Sequence, residues 1–484
     1  MKNTFVLINR TPPDVLSLIP NHWEGSDRDV NLIKLTHVCH GWRELFTSRP
    51  LLWTSLDCTS ANKTEVYIER SKSCPLEISL KQANDTPDWE DAFVLTIPHI
   101  GRLRSLSVSG NPAQVLPVLV EHFSRPMPLL NNLKISTIFD QVPNLPDKLL
   151  DGDLSSLHEL SLSGVVTPLP WRDLSNLTTF NFCHVPEDGS LLTQLLDFFE
   201  SAHRLHHIHL HNSIPKFRGV PPGRVVPLPR LKELSIVAQP PHSILLDHLS
   251  IPIGASLRLE FAFSGGESPI LSYLPKSLQN LHNLSHVTAT NIHLGPGRRF
   301  MRLNGPSGEL YILGNWTSGS ERNNLGTSQF FRSLDQFDIS RSQRLAITLC
   351  NYHPPASGSI EKWEVYRTLR SMEDLRTLTL GRCNNLPFIL TLDPNENSSK
   401  TVLCPKLEDI TLYIKKLEQF RNEELLSMAR ARASRGAKLS AISIICLDDV
   451  FVPTKEVFQL REHVSRVEYK FDDALPGWDT LPVT

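Results

Sequence analysis

The residues best equipped for chemistry crowd into one stretch, His203-Arg204-Leu205-His206-His207-Ile208-His209-Leu210-His211. Imidazole is a common ligand for transition metals, and strand alternation would line His207, His209 and His211 along one face, with Ile208 and Leu210 on the other. No carboxylate or cysteine within the stretch completes a ligand set, so the pattern reads as a solvated strand face. Ser264-Gly265-Gly266-Glu267-Ser268 and Gly305-Pro306-Ser307-Gly308 are glycine-rich, but neither fits the G-x-S-x-G elbow that exposes a nucleophilic serine. A G-x-x-x-x-G-K-[ST] phosphate loop and an H-E-x-x-H metal helix are both missing from the sequence. The glycine stretches read as turns, and the expectation is a non-catalytic chain with no metal or cofactor.

Composition narrows the class. The chain has 484 residues, 40% of them hydrophobic and 21% charged, as in soluble globular proteins. Lys and Arg total 49 against 51 Asp and Glu, so no net charge draws the chain to nucleic acid or anionic lipid. The Arg430–Arg435 cluster reads as a solvated helix face. No apolar run approaches the ~20 residues that span a bilayer, and Phe5–Ile8 is too short for a signal-peptide core. Eight scattered cysteines with no C-x-x-C pair argue for reduced, buried thiols and a cytoplasmic or nuclear location.

The elements that must organise such a chain begin at its N-terminus. Pro13-Asp14-Val15-Leu16-Ser17-Leu18-Ile19 reads as a short helix stopped by Pro20, with Pro13 suited to its first turn and Asp14 to its positive end. Leu32, Leu35, Val38, Cys39, Trp42, Leu45 and Phe46 then recur at helical spacing, predicting one amphipathic helix from about Asp29 that Pro50 closes. From Leu76 the texture changes. Leu76, Ile78 and Leu80 alternate as a strand does.

An L-x-x-L-x-L unit then recurs, at Leu103-Leu106-Val108, Leu130-Leu133-Ile135, Leu157-Leu160-Leu162, Leu177-Phe180-Phe182, Leu205-Ile208-Leu210 and Leu231-Leu234-Ile236. It reappears at Leu334-Phe337-Ile339, Leu375-Leu378-Leu380, Leu407-Ile410-Leu412 and Leu439-Ile442-Ile444, with weaker copies from Leu257, Leu284 and Leu310. Successive copies start mostly 26 to 28 residues apart, the period of a leucine-rich repeat. Such units bury their apolar faces only by stacking, which predicts an irregular solenoid with a parallel sheet. Gln194–His203, Ser272–Leu281 and Glu418–Arg435 carry helical patterns, Gly436 reads as a helix stop and Asp393–Lys400 as an exposed loop. Outward positions are mostly small and hydroxyl-bearing (Ser105, Ser107, Ser109, Ser161, Ser163), without the aromatics and basic stripe that grip single-stranded nucleic acid. That face either receives a protein or is simply surface compatible with a strand.

The N-terminal residues carry a resemblance. Pro12-Pro13-Asp14-Val15-Leu16-Ser17-Leu18-Ile19, then Val38-Cys39-His40-Gly41-Trp42-Arg43 and Pro50-Leu51-Leu52-Trp53, resemble the F-box motif of fungal F-box proteins. Tyr67-Ile68-Glu69-Arg70-Ser71 and Cys74-Pro75-Leu76 continue that similarity to about residue 80, while Thr11-Pro12-Pro13-Asp14 departs from the family's usual Leu-Pro-x-Glu opening. The resemblance and the repeat period together predict an α/β chain: a helical F-box module over 8–60, a linker and capping strand over 61–98, repeats over 99–470 and a cap or tail over 471–484. The resemblance further implies that the module binds a Skp-type adaptor and through it a cullin-RING ubiquitin ligase, while the repeats select a protein substrate. Pro13, Leu16, Leu35, Val38, Cys39, Trp42, Leu51, Leu52 and Trp53 are then the adaptor-facing or module-forming residues. The other reading of the same residues is a non-catalytic repeat scaffold whose degenerate F-box only caps the solenoid.

Overall fold

Strict alternation of apolar and polar side chains sets most of the architecture, because a strand shows successive residues to opposite faces. The computed structural model describes residues 11–23, 27–81, 89–111, 125–137, 155–165, 174–184, 192–212, 223–237, 243–263, 274–275, 277–294, 298–316, 331–349, 362–381, 386–396, 401–414, 422–446 and 455–471. The chain is mixed α/β, with a large, mostly parallel sheet of 17 strands in all and no barrel. It divides into two units, 1–205 and 206–484.

The first unit opens with α1 (Pro13–Leu16), α2 (Asp27–Thr36), α3 (His40–Thr47) and α4 (Ala61–Ser71). Its strands are β1 (Ser55–Leu56), β2 (Leu76–Lys81), β3 (Leu103–Gly110), β4 (Asn132–Thr137), β5 (Glu159–Ser163) and β6 (Thr179–Cys183), each pairing with the next in parallel. Register stacks like on like: Ile78, Leu106, Leu133, Leu160 and Phe180 form one buried row, and Leu80, Val108, Ile135, Leu162 and Phe182 the next. Among the described residues two helices cover that apolar face, α5 (Trp89–Val94) and α6 (Leu192–Ser201); the Phe198 ring of α6 lies 4.8 Å from Phe180. Arg102 ties α4 to the sheet, donating to the Ile68 and Cys74 carbonyls and to Ser71 Oγ at 3.1–3.4 Å.

The second unit contains β7 (His207–His211), β9 (Glu233–Val237), β11 (Ser256–Phe263), β12 (Ala289–Leu294), β13 (Arg298–Asn304) and β14 (Glu309–Trp316). They are followed by β15 (Arg344–Leu349), β16 (Thr377–Gly381), β17 (Asp409–Ile414), β18 (Ala441–Cys446) and β19 (Arg466–Phe471). A separate two-stranded pair joins β8 (Val226–Pro227) to β10 (Leu249–Ser250), and α7 (Ser243–Asp247) lies between them in sequence. Among the described residues four further helices are α8 (Lys362–Arg370), α9 (Leu386–Leu392), α10 (Asn422–Ser434) and α11 (Lys455–His463).

The predicted all-parallel ladder fails in the middle of this unit. Here β12, β13 and β14 form an antiparallel meander, so that β14 rather than β12 pairs with β11, while β12 pairs onward with β15. Buried Asn283 holds the junction by donating Nδ2 to the Ala255 carbonyl at 3.2 Å and to the Glu309 carbonyl at 3.1 Å. Gly308 is required beside it, since a Cβ there would stand 2.5 Å from the carbonyl oxygens of Ala255 and Ile253. Asn283→Ala removes one donor from the Glu309 carbonyl and one from the Ala255 carbonyl, which keeps the Glu309 amide at 3.3 Å, and should lower unfolding free energy by about 1–3 kcal/mol, read as a shifted urea midpoint. An unchanged midpoint would remove Asn283 from its role as clamp.

Other expectations shift locally. The single helix predicted from about Asp29 is two helices, because His37 and Val38 hydrogen-bond back to Lys34 and Leu35 at 3.0 and 3.3 Å and Cys39 is extended (φ −160°, ψ 171°). Leu334-Phe337-Ile339, expected as a strand, begins as a 3-10 turn (Leu334–Gln336) with all three side chains buried, and the strand follows at β15. Within Ser272–Leu281 the described helical part is the 3-10 turn Leu278–Asn280. Asp393, placed in an exposed loop by sequence, is buried at the end of α9, where it accepts from the Asn395 amide and Ser427 Oγ, both at 2.8 Å. The helix expected over Glu418–Arg435 is α10, and Gly436 (φ +79°) follows its end. On α10, buried Arg432 caps the carbonyls of Leu403 and Cys404 at 2.8 and 2.9 Å. Of the predicted cap or tail, all beyond Phe471 lies outside the described residues, as does Ser264–Ser268. Among the described residues no helix is long and apolar enough to cross a membrane.

Candidate functional site

The N-terminal helices separate the predicted site residues into two sets. Trp42, Leu52, Trp53 and Leu16 are buried and build the segment's own core. Trp42 and Phe46, one turn apart on α3, meet edge to face at 5.7 Å. Trp53, fully buried, donates its indole Nε1 to the Phe46 carbonyl at 2.9 Å and packs against Tyr67 of α4 at 5.0 Å. The Arg70 guanidinium lies over the same indole at 4.3 Å, a cation–π contact that closes the pocket. Pro50 ends the run of α3 because it has no amide hydrogen, and Pro50–Trp53 winds instead as a 3-10 turn. That turn buries Leu52 and Trp53 while pointing Leu51 outward.

The second set faces solvent. Leu51 is 70% exposed, Val38 57%, and Pro13 also lies open, while Leu35 and Cys39 are half-buried. Sequence reasoning passed over four more exposed apolar side chains nearby: Val15 (52%) and Leu18 (53%) on and just after α1, and Val30 and Ile33 on α2. Their signal was present as apolar pairs three residues apart on helices too short and polar to hide them. Asp14 accepts an ion pair from Arg49 Nη2 at 2.5 Å, which joins α1 to the turn carrying Leu51. Arg43 Nε donates to the Thr36 carbonyl at 3.0 Å and braces α2 against α3. Isolated exposed apolar residues are ordinary on any protein; these stand on short segments joined by the Asp14–Arg49 and Arg43–Thr36 contacts and are the candidates for a docking surface.

After the 3-10 turn the chain enters β1, whose Ser55 and Leu56 pair with Glu77 and Ile78 of β2. Between β1 and α4, Asp57 holds Lys63 at 2.8 Å. Burial pushes the Asp57 carboxyl up, but the Lys63 hydrogen bond and charge, with Thr59, outweigh it and leave it below its usual value. A carboxyl depressed by folding stabilises above its unfolded value, near pH 4, and that contribution disappears as pH falls through the folded value. A urea midpoint followed from pH 6 to 3 should therefore drop more steeply for the parent chain than for Asp57→Asn; parallel curves would rule the pair out as a contributor. Next to it, Cys58 sits at positive φ (44°), and burial pushes its thiol to about 12, so it is an inert structural thiol.

The histidine stretch folds as the alternation predicts, with Ile208 and Leu210 buried and His207, His209 and His211 half-exposed on β7. The carboxylate that sequence could not supply within the stretch comes from the neighbouring strand: Glu233 of β9 pairs in register with His207, and its Oε2 lies 3.6 Å from His207 Nδ1. Burial is the main cause holding His209 below its usual value; His207 and Arg258 push the same way and Glu233 opposes them. No group of three or more His, Cys, Asp or Glu placed to hold a metal ion occurs among the described residues. The histidines there line a sheet face, with Glu233 beside His207. No protein-family model matches the chain, and no curated protein matches it.

Proposed function

We propose that the chain is a non-catalytic substrate-recognition subunit of a ubiquitin ligase. In this reading residues 8–60 form an F-box module that docks a Skp-type adaptor, and through it a cullin-RING ligase. The remaining strands and helices form a leucine-rich-repeat solenoid that holds a protein substrate. The rows of stacked Leu, Ile and Phe at matching register support the solenoid. The chain would contribute proximity alone, raising the effective concentration of substrate near the charged conjugating enzyme, and would need no cofactor, nucleic acid or membrane.

The observation that carries the docking half is the exposure of Val15, Leu18, Val38 and Leu51 beside a fully packed Trp53 core. The other reading, a degenerate F-box that only caps the sheet, draws on the pairing of β1 with β2. A cap, however, turns its apolar side inward and shows a polar exterior, which these four residues do not. Co-purification of the full chain with a purified Skp-type adaptor tests the choice. Retention of the adaptor at stoichiometric amounts is expected. A chain that stays folded and monodisperse yet retains none would leave the cap.

A further inference from the structure

The two units present their outward sheet faces differently. In the second unit that face carries ion pairs and a buried apolar cluster beside its own row of hydroxyls, Thr379, Thr411 and Ser443. Arg258 pairs with Glu260 at 3.4 Å and Arg302 with Glu309 at 2.6 Å, and Phe300, Tyr311 and Leu313 are buried there as one apolar cluster. In the first unit, register sets Ser79, Ser107, Lys134, Ser161 and Asn181 side by side across β2 to β6, with Lys81, Ser109, Ser136 and Ser163 in the next row. The hydroxyls of Ser107, Ser136, Ser161 and Ser163 are half-exposed and make no hydrogen bond among the described residues. Lys134 and Lys81 are exposed, with no ion-pair partner among the described residues. The acids of this face, Glu77 and Glu159, stand in the row before, and Glu159 is taken by Asn132 Nδ2 at 2.6 Å. The lysines are two strands apart, about 10 Å across, too far for one small ion to touch both but within reach of successive side chains on one peptide.

We propose that this hydroxyl-lined face of β2 to β6 binds an anionic segment of a partner protein, with Lys134 and Lys81 meeting its acidic groups and the serine hydroxyls donating to their oxygens. Two ammonium groups without a direct ion-pair partner, set among hydroxyls free to donate, are complementary to carboxylate or phosphoester oxygens. Short side chains leave the sheet surface low enough for a segment to lie directly on it. The inference rests on the reading that the repeats hold a protein substrate, and it names that substrate's chemistry and the half of the chain that meets it.

The test is fluorescence anisotropy of the full chain with a labelled Glu-rich peptide, its Gln counterpart and a phosphoserine version, alongside the adaptor co-purification. The Glu-rich or the phosphoserine peptide should bind, the tighter of the two identifying the anion, and added NaCl should weaken it. Lys134→Met with Lys81→Met should weaken binding at least about tenfold, and Ser161→Ala, which keeps both charges, by a smaller factor. Equal affinity for the Gln peptide, no loss in the lysine variant, or no binding of either anionic peptide would overturn the proposal. Adaptor retained with anionic peptides ignored sinks this inference alone. Anionic peptide bound with adaptor refused sinks the ligase reading and leaves this face standing as an interaction surface.

Discussion

Leu51→Asp combined with Val38→Asp should weaken adaptor binding about 100-fold or more while leaving the melting temperature of the chain nearly unchanged. Each apolar side chain gains about 1.5–3 kcal/mol when its surface is withdrawn from water, and about 2.7 kcal/mol in total is a factor of 100 in affinity. Both positions are more than half exposed in the free chain, Leu51 at 70% and Val38 at 57%. Removing them costs the free fold little, since surface substitutions usually stay within about 0.5 kcal/mol. The neighbouring Leu52→Asp is the contrast. Leu52 is buried under the Pro50–Trp53 turn, so a carboxylate there must be desolvated, and the expected result is an unfolded helical segment, not a cleanly altered surface. Isothermal titration of the adaptor and a thermal melt of each variant separate the cases. Undiminished affinity in the Leu51/Val38 double variant would remove this surface from the docking reading.

The division between Leu51 and Leu52 shows what the sequence could and could not disclose. The presence of short helices, the stop at Pro20 and Pro50, and the alternation of β2 to β6 are all legible, because they depend on residues close in the chain. Which of two adjacent leucines faces the core depends on the turn type after Pro50, and a 3-10 turn rotates side chains differently from an extended entry. The break between α2 and α3 was hidden for a related reason. Apolar spacing runs through Leu35, Val38 and Trp42 without interruption, and Cys39 caps α3 with no side-chain hydrogen bond, so no capping residue announces it. The meander was less visible still. β13 reads Arg298-Arg299-Phe300-Met301-Arg302-Leu303-Asn304, a basic strand outside the leucine pattern, and it follows the pairing of β14 with β11, a junction where Asn283 and Gly308 meet Ala255, 28 or more residues away in sequence. The histidine face was half legible: alternation located His207, but Glu233 arrives by sheet register, which no local pattern encodes.

The largest stability effect belongs to Trp53→Ala, which should lower unfolding free energy by about 3–5 kcal/mol, the range for deleting a fully buried aromatic ring. Three separate losses fall on one substitution. The Tyr67 ring at 5.0 Å loses its edge-to-face partner, the Arg70 guanidinium at 4.3 Å loses its π surface, and the Phe46 carbonyl loses its indole donor at 2.9 Å and keeps only the longer contact from the Arg49 amide at 3.4 Å among the described residues. Trp53→Phe keeps part of the ring contacts but removes the hydrogen bond and leaves a small cavity, so about 1–3 kcal/mol is expected for it. The consequence extends beyond the helices, because Trp53 is two residues from β1, and β1 covers the edge of β2. Loss of the indole should therefore raise amide hydrogen exchange over Leu76–Lys81, whereas the Leu51/Val38 double variant should leave that protection intact. Unchanged exchange at β2 in Trp53→Ala would mean that the sheet edge holds without the helices. Raised exchange there, with intact protection in the double variant, would assign capping to the buried indole and docking to the exposed leucine and valine, two roles carried by different side chains of one turn and its neighbour.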